Sequence, residues 1–287
     1  MDQRWISFTT DYGLEDGFVA ACHGVIARLA PEARVIDVTH LVPPGDVTRG
    51  AYVLAQTVPS LPRGVHLAVV DPGVGTARRP IAIEAADGGF LVGPDNGLLI
   101  PAAEALGGIR RAVHLTDGAW FAPDVSRTFH GRDIFAPVAA RLAQGADLAS
   151  AGSATAALVR LPPPHLERTP DGVTAEVLTV DRFGNLQLAA PAGTLPLPGG
   201  APLLPGGAPL LPGGTPLLSG GTPLLLGGTV TVNGRPATIG GTFGDAAPGG
   251  LVVFTDSAGY LAVAVNGGSA ATLLDTRAGD HVTIRVH

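Results

Sequence analysis

VHLAVVDPGVGTARR, residues 65–79, decides the fold. Val65 to Val70 is nearly all apolar and rich in valine, the pattern of a central strand buried on both faces. The run passes straight into Asp71 and a Pro-Gly turn, so the strand ends on a carboxylate. In sheets of parallel strands, the loops at the carboxyl ends build the ligand crevice, which makes polar residues there the first candidates for a site. Asp11, which follows a strand expected over Trp5–Thr10, and Asp95 hold equivalent places.

Working outward, a second strand is expected over Arg34–Thr39. Between the two, Phe18, Cys22, Val25, Ile26 and Leu29 recur at helical spacing, predicting an amphipathic helix over 16–30 with Asp16 at its start and Pro31 past its end. Another helix is expected over Asp133–Leu142, where Pro137 is tolerable in the first turn. This alternation predicts an α/β domain over 1–160 with a mostly parallel sheet covered by helices. LPPPHLERTPDG, 161–172, concentrates proline and charge and is read as a linker. Beyond it, Val173–Val180, Leu251–Phe254, Tyr260–Val265 and Val282–Val286 are short β-type runs, so a smaller all-β C-terminal domain is expected over 173–287. Inside that domain a seven-residue unit recurs at about 195–229 (PLLPGGA, PLLPGGT, PLLSGGT, PLLLGGT). Its glycines and prolines exclude a helix, which leaves a low-complexity surface loop.

A chain of 287 residues is long enough for two domains with cores of their own. Its formal charge of -6 provides no broad basic field, so neither nucleic acid nor an anionic membrane is an expected partner. Mean hydropathy is positive, at +0.33, and Leu186 to Gly234 carries no charge. Proline or glycine recurs in that stretch too often for a spanning helix. The opening MDQRWISFTTDYG lacks the apolar core of a signal peptide, so a cytoplasmic location is expected. The single cysteine, Cys22, cannot close an internal disulfide and falls on the apolar helical face, where it reads as core.

Familiar cofactor motifs are missing. DPGVGTARR offers Gly73-x-Gly75, but Arg78 stands where a dinucleotide fingerprint needs its third glycine, and no Gly-Lys-Ser/Thr follows. There is no G-x-S-x-G elbow, no HExxH and no paired-cysteine spacing, so no metal is expected. What remains is a series of polar clusters in turns: TTDYG (9–13), DPGVGTARR (71–79), GPDNG (93–97), TFHGRD (128–133), DRFGN (181–185) and SAGYLAVAVNGGS (257–269).

In this order the clusters resemble the S-adenosylmethionine (SAM) hydroxide adenosyltransferases, a family related to fluorinase and chlorinase. The resemblance runs from Ile6 to the C-terminus apart from the repeat. It implies an N-terminal α/β domain, a C-terminal β domain, and a homotrimer holding SAM between domains of neighbouring subunits. SAM is then the substrate and no cofactor is needed. The implied reaction is attack of water on the ribose 5′ carbon, giving adenosine and L-methionine. Matched residue by residue, Asp71, Arg78 and His130 hold the attacking water, and Asp11 holds the ribose hydroxyls. Phe183 and Phe243 pack on adenine, and Asn185 reads its polar edge. Asp181 and Ser257 hold the methionine ammonium and carboxylate, with Asn266 and Gly267 on the adjoining strand end.

The chemistry of the residues agrees. Methionine leaves a sulfonium as a neutral thioether, so no acid is required and the enzyme's task is to deliver an aligned water and take its proton. Pairing with Arg78 is expected to lower the pKa of Asp71, which favours His130 as the proton acceptor. Other residues have plainer readings: Asp95 and Asn96 as a structural turn, Arg79 as a surface or salt-bridge residue, and His23 without a role. Two departures from the family pattern stand out. Leu186-Gln187-Leu188-Ala189 follows FGN where Val/Leu-Thr-Asn-Ile is usual, and PPGDV around Gly45 lacks the Trp that the halogenating branch carries near there. Three rival functions remain open: a halide adenosyltransferase, a metal-dependent phosphohydrolase using Asp11, Asp71, Asp95, His130 and Asp133, and a nonenzymatic SAM-binding module.

Overall fold

β1 (Trp5–Thr10), β2 (Arg34–Thr39) and β3 (Val65–Val69) form from the apolar runs in a computed structural model that describes residues 4–196 and 230–287. The chain divides into two compact units after Pro162. The expected α/β and all-β classes are both observed.

In the first unit, β4 (Pro80–Ala85), β5 (Phe90–Pro94), β6 (Ile109–Leu115) and β7 (Gly152–Ala154) complete a seven-stranded sheet of order β2-β1-β3-β5-β4-β6-β7. Pairing is parallel from β2 through β5 and antiparallel beyond it. Period-two alternation distributes β3 between two cores. Val65, Leu67 and Val69 pack with α1 (Phe18–Leu29) and α4 (Ala136–Ala143), whereas Ala68 and Val70 pack with α2 (Val47–Thr57) and α3 (Ile100–Ala105). Each buried valine or leucine contributes roughly 1.5–3 kcal/mol against exposure, so a slipped register would be costly. His66 is the polar member of the run; it is buried and its Nδ1 lies 2.8 Å from Ser7 Oγ on β1.

Two helix starts differ from expectation. α1 begins at Phe18 with Gly17 as its cap, and no side chain caps it; Asp16 stands one position too early. The helix expected from Asp133 instead opens with a π-turn, Gly131–Phe135, before α4 begins at Ala136. Pro137 explains the change, because it has no N–H for the Asp133 carbonyl, which accepts from the Ala122 N–H at 2.8 Å instead. Cys22 is buried, and burial pushes its thiol up to about 12, so it behaves as a core residue.

The second unit contains β8 (Leu166–Thr169), β9 (Gly172–Val180), β10 (Leu186–Pro191), β11 (Val230–Val232), β12 (Arg235–Ile239), β13 (Leu251–Thr255), β14 (Tyr260–Val265), α5 (Ala270–Leu274) and β15 (His281–Val286). Strand order is β10-β14-β13-β12-β11-β15-β9-β8, and β10 also pairs with β9, so the sheet closes into a barrel around Val177, Leu188, Val253, Val263 and Ile284. β8 arises inside the stretch read as a linker. The proline run occupies only 162–164, and a hairpin turn at Pro170-Asp171 returns Leu166–Thr169 against β9. The repeat read as a surface loop lies outside the described residues from position 197.

Candidate functional site

The order of the first sheet creates a switch point. The chain leaves β1 to one side to form β2 and returns on the other side as β3, so the carboxyl ends of β1 and β3 flank a crevice. Asp11 and Asp71 follow those two ends. Together with Tyr12, Gly45, His130 and Gly131 they line a cavity of about 220 Å³.

Local folding of the loop after β3 assembles its centre. Val74 N–H donates to the Asp71 carbonyl at 3.2 Å and Thr76 N–H to that of Gly73 at 3.2 Å, which turns the chain back so that Arg78 reaches Asp71. Gly75, at φ +76, lies so close to the Arg127 carbonyl that a Cβ would stand 2.5 Å from it, and this contact brings the 122–130 loop and its His130 alongside. Arg78 Nε donates to Asp71 Oδ1 at 3.0 Å, and its Nη2 donates to Oδ2. The same Nη2 lies 3.1 Å from His130 Nδ1, and the guanidinium sits 5.3 Å from the Phe135 ring centroid. Arg78 Nη1 is buried and has no hydrogen-bond partner among the described residues.

Protonation follows from this geometry. A guanidinium has only donors, so His130 Nδ1 must be the acceptor and the neutral ring carries its proton on Nε2. Burial lowers the His130 pKa and the Arg78 charge lowers it further, which keeps the ring neutral. Asp71 departs from expectation: burial raises its carboxyl above the usual range, outweighing the pull of Arg78. Burial, with the adjacent Cys22, Asp11 and Asp71, also raises the Tyr12 phenol and holds it protonated. Tyr12 had no role in the sequence reading although it stands inside TTDYG, beside Asp11. Its hydroxyl occupies the space a side chain at Gly131 would need, since a Cβ there would lie 2.0 Å from it.

The other carboxylates have structural tasks. Asp95 is buried, pairs with Arg79 and accepts from Val159 N–H at 2.9 Å, while Asn96 Nδ2 donates to the Val70 carbonyl at 2.9 Å. Asp133 accepts from Arg132 Nε at 2.6 Å and Ser126 N–H at 2.9 Å. Of the five residues a phosphohydrolase would use, only Asp11, Asp71 and His130 line the cavity. Asp11 Oδ2 accepts from the Gly45 N–H at 2.8 Å, and Gly45 has φ +73, a conformation that suits glycine and explains the absence of a larger residue there.

The candidates of the second unit cluster in turns. Asp181 Oδ1 accepts from Phe183 N–H at 2.8 Å and Asn185 N–H at 2.9 Å, and its Oδ2 accepts from Asn185 Nδ2 at 2.7 Å. This turn leaves the Phe183 ring 77% exposed. Phe243 is 48% exposed and meets Phe254 edge-on at 5.3 Å. Ser257 lies in the exposed turn after β13, Asn266 Nδ2 donates to the Ala246 carbonyl at 2.7 Å, and Gly267 follows β14 with φ +76. Gln187, at the departure after FGN, donates to Asp256 Oδ2 at 2.5 Å and so braces the turn that carries Ser257.

The family descriptions "SAM hydroxide adenosyltransferase N-terminal domain" and "SAM hydroxide adenosyltransferase C-terminal domain" match residues 6–152 and 222–283. An (R)-S-adenosyl-L-methionine hydrolase of Salinispora tropica is 60% identical over 98% of this chain and 97% of its own. A crystal structure of a protein from Thermotoga maritima superposes with a TM-score of 0.81 at 35% identity, covering 98% of this chain and all of that one. A fluorinase of Actinoplanes sp. is 30% identical over 63% of this chain and 70% of its own.

Proposed function

Because the chain belongs to the SAM hydroxide adenosyltransferase family, we propose that it hydrolyses S-adenosyl-L-methionine to adenosine and L-methionine at the cavity beside Asp71, Arg78 and His130. The observation that carries the reading is the buried, unpaired Nη1 of Arg78, on a guanidinium already bound to Asp71 and His130. A buried donor without an acceptor is costly, and a water oxygen between these groups supplies one.

In the reaction the water oxygen attacks the ribose 5′ carbon as the C5′–S bond breaks. The bonding pair goes to sulfur, which leaves as the neutral thioether of methionine. The proton released from water goes to the Asp71 carboxylate, whose basicity burial has raised. His130 is the weaker candidate, because its Nδ1 lone pair faces Arg78 and its Nε2 carries a proton. Asp11 holds the ribose hydroxyls, and the exposed rings of Phe183 and Phe243 supply apolar faces for adenine. Asn185 reads the adenine edge, Asp181 pairs with the methionine ammonium, and Ser257, Asn266 and Gly267 receive its carboxylate end. A homotrimer is the proposed assembly. The cytoplasm is the proposed location, which suits a lone buried cysteine. No helix among the described residues is long and apolar enough to cross a membrane.

Turnover in ¹⁸O-water tests the reaction. The label should appear in the 5′-hydroxyl of adenosine, with an equal yield of methionine. Unlabelled adenosine, or 5′-chloro-5′-deoxyadenosine as the main product in high chloride, would overturn it.

A further inference from the structure

His23 on α1, Asp37 on β2 and His40 just after β2 converge on one point of the first unit. A ring nitrogen of each histidine and a carboxylate oxygen of Asp37 all lie within 4.8 Å of one another. His23 Nε2 is 2.9 Å and His40 Nε2 is 3.0 Å from the same Asp37 Oδ1. None of the three lines the cavity beside Asp71.

His40 is the informative member. It is only 4% exposed, and its Nε2 is buried without a hydrogen bond despite the nearby carboxylate. The ring is held from the other side, with Nδ1 2.8 Å from Thr10 Oγ1 and the buried Phe8 ring edge-on at 4.9 Å. Phe8 also packs on His23, at 5.9 Å. A locked imidazole thus aims a bare nitrogen at an anionic oxygen toward which a second imidazole also points.

A cation at the convergence point accounts for all of this. Zinc takes imidazole nitrogen and carboxylate oxygen at about 2.0–2.2 Å in a tetrahedron, which puts ligand atoms roughly 3.4 Å apart. The separations of 2.9 and 3.0 Å, with the rest inside 4.8 Å, bracket that spacing. Two imidazoles and one carboxylate are ligands for a first-row transition ion, not for calcium or magnesium. Thr10 Oγ1 is placed to accept from His40 Nδ1–H, the outer hydrogen bond that orients a ligating histidine. The side chains of His23 and Asp37 remain 34% and 45% exposed, leaving an entry path and room for water as a fourth ligand.

We propose that His23, Asp37 and His40 form a binding site for a divalent transition-metal ion of the zinc type, which fastens α1 to the end of β2 and takes no part in the chemistry at Asp71. The site goes beyond the hydrolase reading and is tested apart from it. Untagged full-length protein, stripped with chelator and titrated calorimetrically with Zn²⁺, should bind one ion. His23→Ala and Asp37→Ala should each weaken binding at least about tenfold. Zn²⁺ should raise the melting temperature of the parent but not of these variants, and Co²⁺ should give the visible d–d bands of a four-coordinate site. His23→Ala should still hydrolyse SAM. Absence of saturable binding would refute the site, as would one-to-one binding undiminished in both variants.

Discussion

Arg78 joins Asp71 and His130, and because a guanidinium offers only donors it dictates what its neighbours can do. Asp71 is left as the proton acceptor and His130 as a donor through Nε2. Asp71→Asn should therefore lower turnover about 10²- to 10⁴-fold with substrate affinity nearly kept. His130→Gln, which retains an N–H donor, should cost roughly tenfold, and the reverse order in single-turnover rates would make His130 the base. The pH profile separates the same alternatives. Because the Asp71 carboxyl is raised, activity should fall with acidification along one limb lying above the ordinary carboxyl value of 3.8. That limb should persist in His130→Gln; its disappearance would contradict the assignment. All three residues stand in polar turn clusters of the sequence, Asp71 alone of them directly at a strand end, and their grouping came from the family resemblance. The identity of the base was not legible, because it depends on burial and on which imidazole nitrogen faces Arg78, and neither is written in a local motif. Tyr12 escaped notice for a similar reason, since its nearness to Gly131 is set by strand β1 and the π-turn together.

At the scale of elements, β3 shows what an apolar run reveals and what it hides. Its burial and its carboxyl-end aspartate were evident, yet His66 within it titrates. Burial lowers its pKa from 6.5 to about 4. Between those values the unfolded chain binds the proton and the folded chain does not, so stability falls as pH drops through the window. The full loss is about 3 kcal/mol for the fold. Urea midpoints at pH 7 and pH 4.5 should show most of it in the parent and a much smaller difference in His66→Gln; equal slopes would mean that His66 is solvated. Antiparallel β4 was not separable from a parallel strand in the sequence, because a strand covered on both faces loses its polar alternation whichever way its neighbour runs. The π-turn was likewise hidden, since Pro137 is compatible with an ordinary first turn and only the Ala122–Asp133 bond shows otherwise.

For the whole molecule, two units were legible from the change of rhythm near residue 160, but closure of the second into a barrel was not, because the β9–β10 and β10–β14 pairings depend on register. The closed ring leads to a prediction about the repeat. Between β10 and β11 the ring offers a short route past β9 and β15, three strand spacings of about 4.8 Å each. Deleting residues 197–226 leaves about eight residues, which extend to roughly 25 Å and suffice for that route. The shortened protein should fold and turn over SAM within a few fold of the parent. Loss of soluble protein on gel filtration would show that the segment is needed by the fold.

The same ring bears on inheritance. Tandem units of this kind change copy number by slippage when a chromosome is copied, and in most β-proteins an insertion of variable length would compete with strand pairing. Here every barrel strand has both its neighbours without help from the repeat. If the shortened protein turns over SAM as the parent does, gains and losses of whole units can be carried in the gene as length variation that the fold tolerates.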